Sequence, residues 1–415
     1  SSPALYRMST SISNSDAMAM NIYNIYVRRL ALLLPLVCAA SCIYPFEPEV
    51  PEGEKCVVIE GNIFVGAYTE VNLSYMMPLN TPESEMKSET PVGRAWVEAE
   101  DGTVYRPEKD VEASSFVIDT RKAPAQGRYR LCVEDTQNSR HYYSEWAEVN
   151  PEAFVDSLSY VYNDLDMTLC ISAHSDEGRY FRWSYQEDYK FHADHPRDYI
   201  FNYAEGLEVK LEPTDYSTYW CWRSNSSREV GLVATADLRD NRIVAHKFLT
   251  FSRSSLRLQT RYRMIIYMSC ISADAYRYLD NLKTNSNFNG DLFTPLPSDV
   301  QGNIHCEEDP DARVIGYVDV CQVKKAVFYL GAAAYRLYIA RGELSPSFIP
   351  ALVWDYGEEG QNPLNLRYFW DQGYAPMFEG ADPDGNLGVL WNFKRCTDCR
   401  LDGGVLESPE DWEDR

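Results

Sequence analysis

The chain has 415 residues with 39 basic and 62 acidic side chains, so its formal net charge at pH 7 is −23. Nucleic-acid binding needs a cationic face, and this excess of carboxylates argues against a nucleic-acid partner. The length is sufficient for two domains with hydrophobic cores. The 30 tyrosines and 9 tryptophans favour β-sheet, although such residues also form binding faces for sugars or peptides.

The N-terminal region has the order of an export signal. Two arginines precede the apolar run Leu30–Ala40, which is too short to span a bilayer, and small residues lead to Cys42. We interpret Met20 as the start of translation and residues 1–41 as an over-extended N-terminus plus a lipoprotein signal peptide. Cys42 would then be lipidated and would anchor the chain in a membrane. In the alternative interpretation the signal is an ordinary secretory one and Cys42 is unmodified.

The mature chain is predicted to begin with a tether and a small β-domain. Residues 42–54 are rich in Pro and Glu, which predicts an extended, solvated segment. Residues 55–151 contain short alternating segments separated by turn residues, and Asp101-Gly102 stands between two of them as a hairpin turn. Closely spaced strands of this kind predict an immunoglobulin-like β-sandwich.

Residues 152–415 are predicted to form a second, larger β-rich domain with a cysteine-containing C-terminal tail. Hairpins are expected about Asn163-Asp164 and around Asp309–Asp311. One helix is expected over residues 272–286, because Ser272 is a suitable N-cap and apolar residues follow at helical spacing. The predicted fold class is mainly β: an N-terminal immunoglobulin-like β-sandwich followed by a second, larger β-sandwich-like domain with one inserted α-helix.

Several short motifs occur in a fixed order along the chain. They are "PFEPE" at 45–49, "VVIEGNI" at 57–63, a tyrosine-rich helix followed by "LFTPLPS", "GNI" at 302–304, "GY" at 316–317 and a C-terminal "CTDCRLDGG". Their order resembles a Bacteroidetes lipoprotein family catalogued as domain of unknown function 4249. The resemblance extends over nearly the whole mature chain, and the sequence departs from the family pattern after Val327.

The resemblance implies an outer-membrane lipoprotein that faces the periplasm or the cell surface. Members are often encoded beside a TonB-dependent outer-membrane receptor, which implies that receptor as a partner and a role in nutrient uptake. No catalytic residue transfers from the family. The sequence contains no G-x-S-x-G, H-E-x-x-H or P-loop motif, so we expect a non-catalytic accessory or binding protein without a cofactor. The alternatives are a surface hydrolase acting on glycans or peptides and a structural or adhesive envelope protein.

An aromatic segment around Cys221 is the first candidate ligand surface. Its aromatic residues are Tyr216, Tyr219, Trp220 and Trp222. In a strand the two tryptophans would share one face and Cys221 would point to the other. An exposed tryptophan pair would stack on a sugar ring or a peptide side chain, whereas an inward pair would belong to the core. The loops rich in Gly, Pro and aromatic residues between residues 354 and 378 are the second candidate surface.

Two short segments have weak metal-binding patterns. His192 and His195 would share one face of a helix and could hold a metal, but the neighbouring strands and a proline favour a polar surface loop. Asp382, Asp384 and Asn386 alternate as calcium ligands do. The glycine and distal glutamate of an EF-hand are not at the required positions, so an Asp-Gly turn is the simpler interpretation.

The cysteines of the C-terminal C-x-x-C motif, Cys396 and Cys399, allow three interpretations. A redox pair needs a βαβ unit, and this β-rich chain predicts none here. A zinc site with Cys306 and Cys321 would need a second closely spaced pair. We therefore expect a disulfide between one of the two motif cysteines and Cys221. The other motif cysteine would pair with Cys306 or stay free.

Overall fold

The computed structural model describes seven stretches of the chain: residues 56–76, 91–109, 111–286, 302–339, 353–355, 363–381 and 387–413. β-strands are the main element in these stretches, which confirms the mainly β fold class. No described helix is long and apolar enough to cross a membrane.

Several predictions concern residues outside these stretches. They are the signal peptide, Cys42, the tether over residues 42–54, and the calcium candidates Asp382, Asp384 and Asn386. Lipidation, the extended tether and calcium binding therefore stay predictions.

The first part of the described chain consists of short strands. They are β1 (Val57–Gly61), β2 (Ile63–Phe64), β3 (Tyr68–Tyr75), β4 (Gly93–Ala99), β5 (Val104–Tyr105), β6 (Ser115–Asp119), β7 (Arg128–Asp135), β8 (Arg140–Ser144) and β9 (Ala147–Glu148). In β3, exposed and buried residues alternate because one face packs on the core. The predicted Asp101-Gly102 turn is confirmed. It joins β4 to β5, and Gly102 has a φ of 89°, which glycine adopts without a Cβ clash.

Longer strands follow in the middle of the chain. They are β10 (Phe154–Tyr162), β11 (Asp166–His174), β12 (Tyr180–His192), β13 (Arg197–Asn202), β14 (Leu207–Asp215), β15 (Trp220–Ser226), β16 (Gly231–Ala234), β17 (Arg242–Ser252) and β18 (Arg261–Cys270), with a 3₁₀ helix at Leu256–Leu258. The hairpin predicted about Asn163-Asp164 is confirmed, since Tyr162 lies opposite Met167.

Helices and short strands make up the last part. They are α1 (Ala273–Ser286), β19 (Ile304–Cys306), β20 (Val314–Ile315), β21 (Val320–Cys321), β22 (Lys324–Tyr329), α2 (Ala332–Tyr335), β23 (Val353–Asp355), α3 (Pro363–Asp371), β24 (Tyr374–Ala381) and β25 (Leu387–Phe393), then 3₁₀ helices at Lys394–Cys396 and Cys399–Asp402. The predicted N-cap is confirmed, because Ala275 N donates to Ser272 Oγ at 3.1 Å. The expectation of a single helix is wrong. α2 and α3 are too short for a helical repeat to stand out in the sequence.

The first sandwich has two main sheets. One has the strand order β20-β1-β3-β6, and the other has the order β19-β8-β7-β4-β5 with β9 beside β7. The side chains between them form a buried core that includes Ile59, Val71, Val97, Tyr129 and Leu131. This core agrees with the sandwich predicted from the alternating pattern.

The chain returns to the first sandwich after α1. β20 lies parallel to β1, β21 lies parallel to β2, and β19 lies antiparallel to β8. Ile304, Val318 and Val320 are buried in the first core. The hairpin predicted around Asp309–Asp311 is therefore wrong, because its two arms pair with strands of different sheets. Three strands from the predicted second region, residues 152–415, thus complete the first sandwich.

The second sandwich is built around β12. One sheet has the order β10-β11-β17, and the other has the order β15-β12-β18-β22 with β16 also paired to β12. Phe181, Trp183 and Phe191 on β12 pack with residues of the other sheet, such as Met167 and Leu169, in one buried core. Because side chains alternate along a strand, the even-numbered residues of β12 face away from this core.

A smaller layer forms beside the second sandwich from β13, β14, α3 and the sheet β23-β25-β24. Its core contains Tyr199, Phe201, Leu366 and Trp391. The helix α3 and the strands β23, β24 and β25 of this layer come from the part of the chain that follows Val327.

Candidate binding groove

A cavity of about 840 Å³ opens between β12 and β17 of the second sandwich, and we call it the sheet groove. Its lining comprises Trp183, Tyr185, Glu187, Tyr189, Arg223, Asn225, Ser226, Ser227, Arg228, Glu229, Val230, Gly231, Leu232, His246, Lys247, Phe248, Arg257 and Lys283. Small-molecule sites typically have volumes of about 300–1,000 Å³. The volume and the mixed polar and aromatic lining make the groove the candidate binding site.

Aromatic side chains form the floor of the sheet groove. Trp183, Tyr185 and Tyr189 come from alternate positions of β12 and therefore face the same side of the sheet. The Trp183 ring makes edge contacts with His246 at 5.5 Å and with Phe248 at 6.5 Å between ring centroids. Phe248 also contacts Tyr185 edge-on at 5.7 Å. These contacts fix the rings relative to one another.

Gly231 creates the space that the Trp183 indole occupies. The two residues are direct neighbours on β16 and β12. A Cβ at position 231 would lie 2.0 Å from Trp183 Cε2, far inside van der Waals contact. A glycine is therefore required here if the indole is to keep its position in the floor.

Two irregularities in β17 determine which side chains reach the sheet groove. The pairing with β11 skips Phe248. A second shift in the pairing register lies between Ile171 and Ala173 of β11, and Ala245 of β17 has a φ of 46°. A regular strand would send consecutive side chains to opposite faces. Because β-bulges redirect side chains, three consecutive residues, His246, Lys247 and Phe248, line the groove.

The turn between β15 and β16 forms one wall of the groove and is fastened to β12. Ser227 N donates to the Tyr185 carbonyl at 2.8 Å, and Tyr185 N donates to Ser227 Oγ at 3.1 Å. This reciprocal pair holds the neighbouring Arg228 and Glu229 at the groove. The wall is therefore set by backbone geometry as well as by side-chain packing.

Cations outnumber carboxylates in the sheet groove, although the chain as a whole is strongly acidic. The cationic lining residues are Arg223, Arg228, Lys247, Arg257 and Lys283, and the acidic ones are Glu187 and Glu229. Burial, followed by the charge of Lys283, lowers the pKa of His246, so this imidazole is neutral at pH 7. The groove thus presents a local positive field to a ligand.

Both carboxylate oxygens of Glu187 accept hydrogen bonds from neighbouring side chains of the protein. Arg257 donates to both carboxylate oxygens, Tyr262 donates its hydroxyl at 2.7 Å, and Asn225 donates its amide at 2.9 Å. The side chain is buried, and such a charge is tolerated only with partners of this kind. Its role here is to hold Arg257 and Asn225 in place at the groove.

The predicted aromatic segment lies outside the sheet groove. Trp220 and Trp222 share one face of β15, and Lys190 Nζ lies 5.0 and 5.1 Å from the two ring centroids. Cys221 points to the other face and is fully buried. The predicted alternation along this strand, with the two tryptophans on one face and Cys221 on the other, is confirmed. The core interpretation is wrong for Trp220, whose side chain is exposed.

The two tyrosines of the aromatic segment pack locally. Tyr216 is exposed and makes an edge contact with Tyr219 at 5.5 Å. His192 stacks on Tyr219 at 5.0 Å, whereas His195 contacts Phe378 at 4.9 Å. The two histidines therefore have different neighbours. Among the described residues, the group with metal-ligand spacing is instead His141, Glu307 and Glu308.

A disulfide joins Cys221 to Cys399, with a Cα–Cα distance of 5.8 Å. The sequence left both motif cysteines open as partners of Cys221, and the structure selects the second. Cys396 and Cys306 are free buried thiols. Cys306 packs in the first core, so it does not pair with Cys396. Burial raises the pKa of Cys396 to about 12.

The sequence contained a partial indication of the sheet groove. The alternation in "YFRWSYQEDYKFH" places aromatic side chains on one face of β12, and Trp183, Tyr185 and Tyr189 belong to that face. The bulges of β17 and the turn at residues 226–230 have no comparable local signal. Sequence reasoning therefore favoured the richer aromatic cluster around Cys221 and missed the groove.

The family model for a domain of unknown function (DUF4249) matches residues 43–326. A search of curated proteins finds no match. A two fibronectin type-III domain segment from chicken tenascin is 13% identical, and the alignment covers 51% of this chain and 88% of that one, with a TM-score of 0.15. Three N-terminal domains of the bacteriophage RB49 Highly Immunogenic Outer Capsid protein are 10% identical, with coverage of 82% and 86% and a TM-score of 0.16. At these TM-scores neither structure supports a functional argument.

Proposed function

Because the chain belongs to the DUF4249 family, we propose that it is a lipid-anchored outer-membrane lipoprotein that binds a ligand without transforming it. In this proposal Cys42 provides the anchor, and the protein serves a TonB-dependent receptor in nutrient uptake. The observation that supports a binding role is the sheet groove, with its fixed aromatic floor and cationic lining. The export signal predicted from residues 20–42 supports the proposed location.

The lining of the groove favours an acidic oligosaccharide as the ligand. Arg228 and Lys247 provide charge-assisted hydrogen bonds for carboxylate or sulfate groups, and the hydroxyl and amide groups of Ser226 and Asn225 suit sugar hydroxyls. Tyr185 adds a half-buried ring beside these polar groups. The volume of about 840 Å³ is large enough for a short oligosaccharide.

Titration calorimetry with a galacturonic acid oligomer tests the ligand class. A neutral glucose oligomer of equal length and a polyglutamate peptide are the comparisons. We expect binding of the uronic acid oligomer alone, weakened by added salt. Lys247→Ala and Arg228→Ala should each weaken it about tenfold, the equivalent of one charge-assisted hydrogen bond. Lys122→Ala, exposed on the first sandwich, is the matched control and should bind normally.

Other outcomes of the same experiment have defined meanings. Binding of polyglutamate alone would replace the glycan with an acidic peptide. Release of shortened oligomers would favour the hydrolase alternative over a non-catalytic role. Absence of binding to all three probes would remove the sheet groove as the ligand site.

The membrane anchor and the receptor partner need separate tests. Fatty-acid labelling should be lost in Cys42→Ala, and retained label would refute this lipidation site. After gentle detergent extraction we expect the protein to co-purify with an outer-membrane receptor. Repeated recovery of the free protein alone would argue against the accessory role.

A further inference from the structure

A second cavity, of about 460 Å³, lies where the first sandwich, α1 and β12 meet, and we call it the arginine cavity. Much of its wall is apolar. α1 contributes Tyr278, Leu279 and Leu282, and the first sandwich contributes Phe64 and Tyr317. The rings of Tyr278 and Tyr317 lie 5.4 Å apart between centroids. The wall therefore suits an apolar ligand body.

Arg182 is the half-buried cation of this cavity. Its Nε is buried without a hydrogen-bond partner among the described residues, which also provide no ion pair for its guanidinium. Asp319 acts on Arg182 electrostatically, but its carboxylate accepts hydrogen bonds from Ser272 N and Asn150 Nδ2. Burial lowers the pKa of Arg182. A guanidinium that is partly removed from water without a counter-ion lowers the stability of the fold unless a ligand pairs with it.

We propose that the arginine cavity binds a small molecule that has one carboxylate and an apolar body. The carboxylate would pair with the guanidinium of Arg182, and the apolar body would pack on Tyr278 and Leu279. Exposed Glu60 and Glu70 also line the cavity, and their negative charge disfavours a second carboxylate on the ligand. The site therefore selects monocarboxylates over dicarboxylates.

The arginine cavity is independent of the sheet groove. Arg182 and Trp183 are consecutive residues of β12, so their side chains point to opposite faces of the sheet. Trp183 lines the groove, and Arg182 lines the cavity. Failure of glycan binding in the groove would leave this second proposal unaffected.

Thermal unfolding of the full chain with 3-phenylpropionate tests the proposal, because a ligand that binds only the folded state raises the unfolding temperature. The uncharged 3-phenylpropionamide and the dicarboxylate phenylsuccinate are the comparisons. We expect the monocarboxylate to raise the unfolding temperature and the other two to have little effect. No shift at millimolar concentrations, or an equal shift with the amide, would overturn the proposal. An equal shift with phenylsuccinate would overturn the proposed discrimination against dicarboxylates by Glu60 and Glu70.

Two variants connect the binding to this cavity. Arg182→Met should abolish the shift while leaving the ligand-free protein at least as stable, because a charge with a buried, unpaired Nε is removed. Leu282→Trp fills the space beside α1 and should weaken binding at least tenfold without touching the charge. Arg94→Met, exposed on β4, is the control and should behave as the unaltered protein. A shift that persists in both cavity variants would place the ligand elsewhere and overturn the proposal.

Discussion

Arg263 and Asp188 form an ion pair inside the protein, with Arg263 Nε and Nη2 lying 3.0 and 2.8 Å from Asp188 Oδ2. The two residues are direct neighbours on β18 and β12, and both side chains are almost completely buried. Arg263 also donates to the carbonyls of Glu410 and Asp411 and lies 5.5 Å from the Trp412 ring. One guanidinium therefore joins the second sandwich to the C-terminal tail.

Asp188→Asn should destabilise the fold strongly, because it leaves the Arg263 charge buried without its counter-ion. Removal of one partner of a buried pair typically costs about 3–5 kcal/mol. The free energy of unfolding from urea denaturation measures this cost. Asp119→Asn, which removes an exposed pair with Arg121, is the control and should change the midpoint little. Equal urea midpoints for the two variants would show that the buried ion pair contributes no more to stability than the exposed one.

The disulfide between Cys221 and Cys399 should anchor the tail to β15. Its loss in Cys399→Ala is expected to cost about 2–4 kcal/mol in unfolding free energy, because the bond constrains the unfolded chain. The tail beyond residue 399 should also become sensitive to proteases. Cys396→Ala is the matched control, since Cys396 is a free thiol in the same motif. Alkylation of Cys221 and Cys399 in denatured, unreduced protein would show that the bond is absent.

Gly231→Ala should displace the Trp183 indole, since the added Cβ would meet the ring at 2.0 Å. Overpacking of this kind typically costs about 1–3 kcal/mol. The near-ultraviolet circular dichroism signal of tryptophan and the affinity of the groove for its ligand should both change. Gly331→Ala is the control, because no atom lies within 4 Å of its added Cβ. An unchanged spectrum and affinity in Gly231→Ala would contradict the close packing described for the floor.

His141 should titrate above its ordinary value of 6.5, because the hydrogen bond to Glu308 raises its pKa. The Nδ1–Oε1 distance is 2.6 Å. Glu308 also accepts from His141 N, and these bonds lower the pKa of Glu308 to about 2. The contribution of His141 to stability is present below pH 6.5 and is lost as the pH rises through its raised pKa.

NMR titration of the His141 ring measures this effect directly. Glu308→Gln should return the pKa toward the ordinary value, while Glu145→Gln, beside His305, should leave the His141 signal unchanged. A His141 pKa at or below 6.5 in the unaltered protein would contradict the prediction.

Local patterns predicted those parts of the fold in which neighbours in sequence are neighbours in space. The hairpin from β10 to β11 was predicted, because alternating apolar residues on both arms and Asn163-Asp164 between them favour one pairing. The N-cap at Ser272 was also predicted, since its hydrogen bond lies within three residues. The predicted export signal and the spacing of the C-x-x-C motif reduced the candidate disulfide partners of Cys221 to two cysteines, Cys396 and Cys399.

Long-range pairings were not predictable in this way. Cys56 and Arg313 are in hydrogen-bond contact although 257 residues separate them, and nothing in either segment specifies the other. The sheet groove depends on bulges in β17, which change side-chain direction by irregular pairing and leave no mark in the local sequence. The cationic character of the groove was likewise hidden, because Arg223, Arg257 and Lys283 come from different elements of an acidic chain.

The return of β20 to β1 has a mechanical consequence. β1 is the first described strand, and it lies between β3 and β20 in the sheet. A pulling force applied to the N-terminal segment therefore enters the fold through a strand held on both sides. Ladder hydrogen bonds run across the strand axis, so a pull along the axis of β1 would load its hydrogen bonds to β3 and β20 together, whereas a strand at the sheet edge has only one such neighbour. The first described strand is therefore hydrogen-bonded to two neighbours at the point where tension from the N-terminal segment would reach the fold.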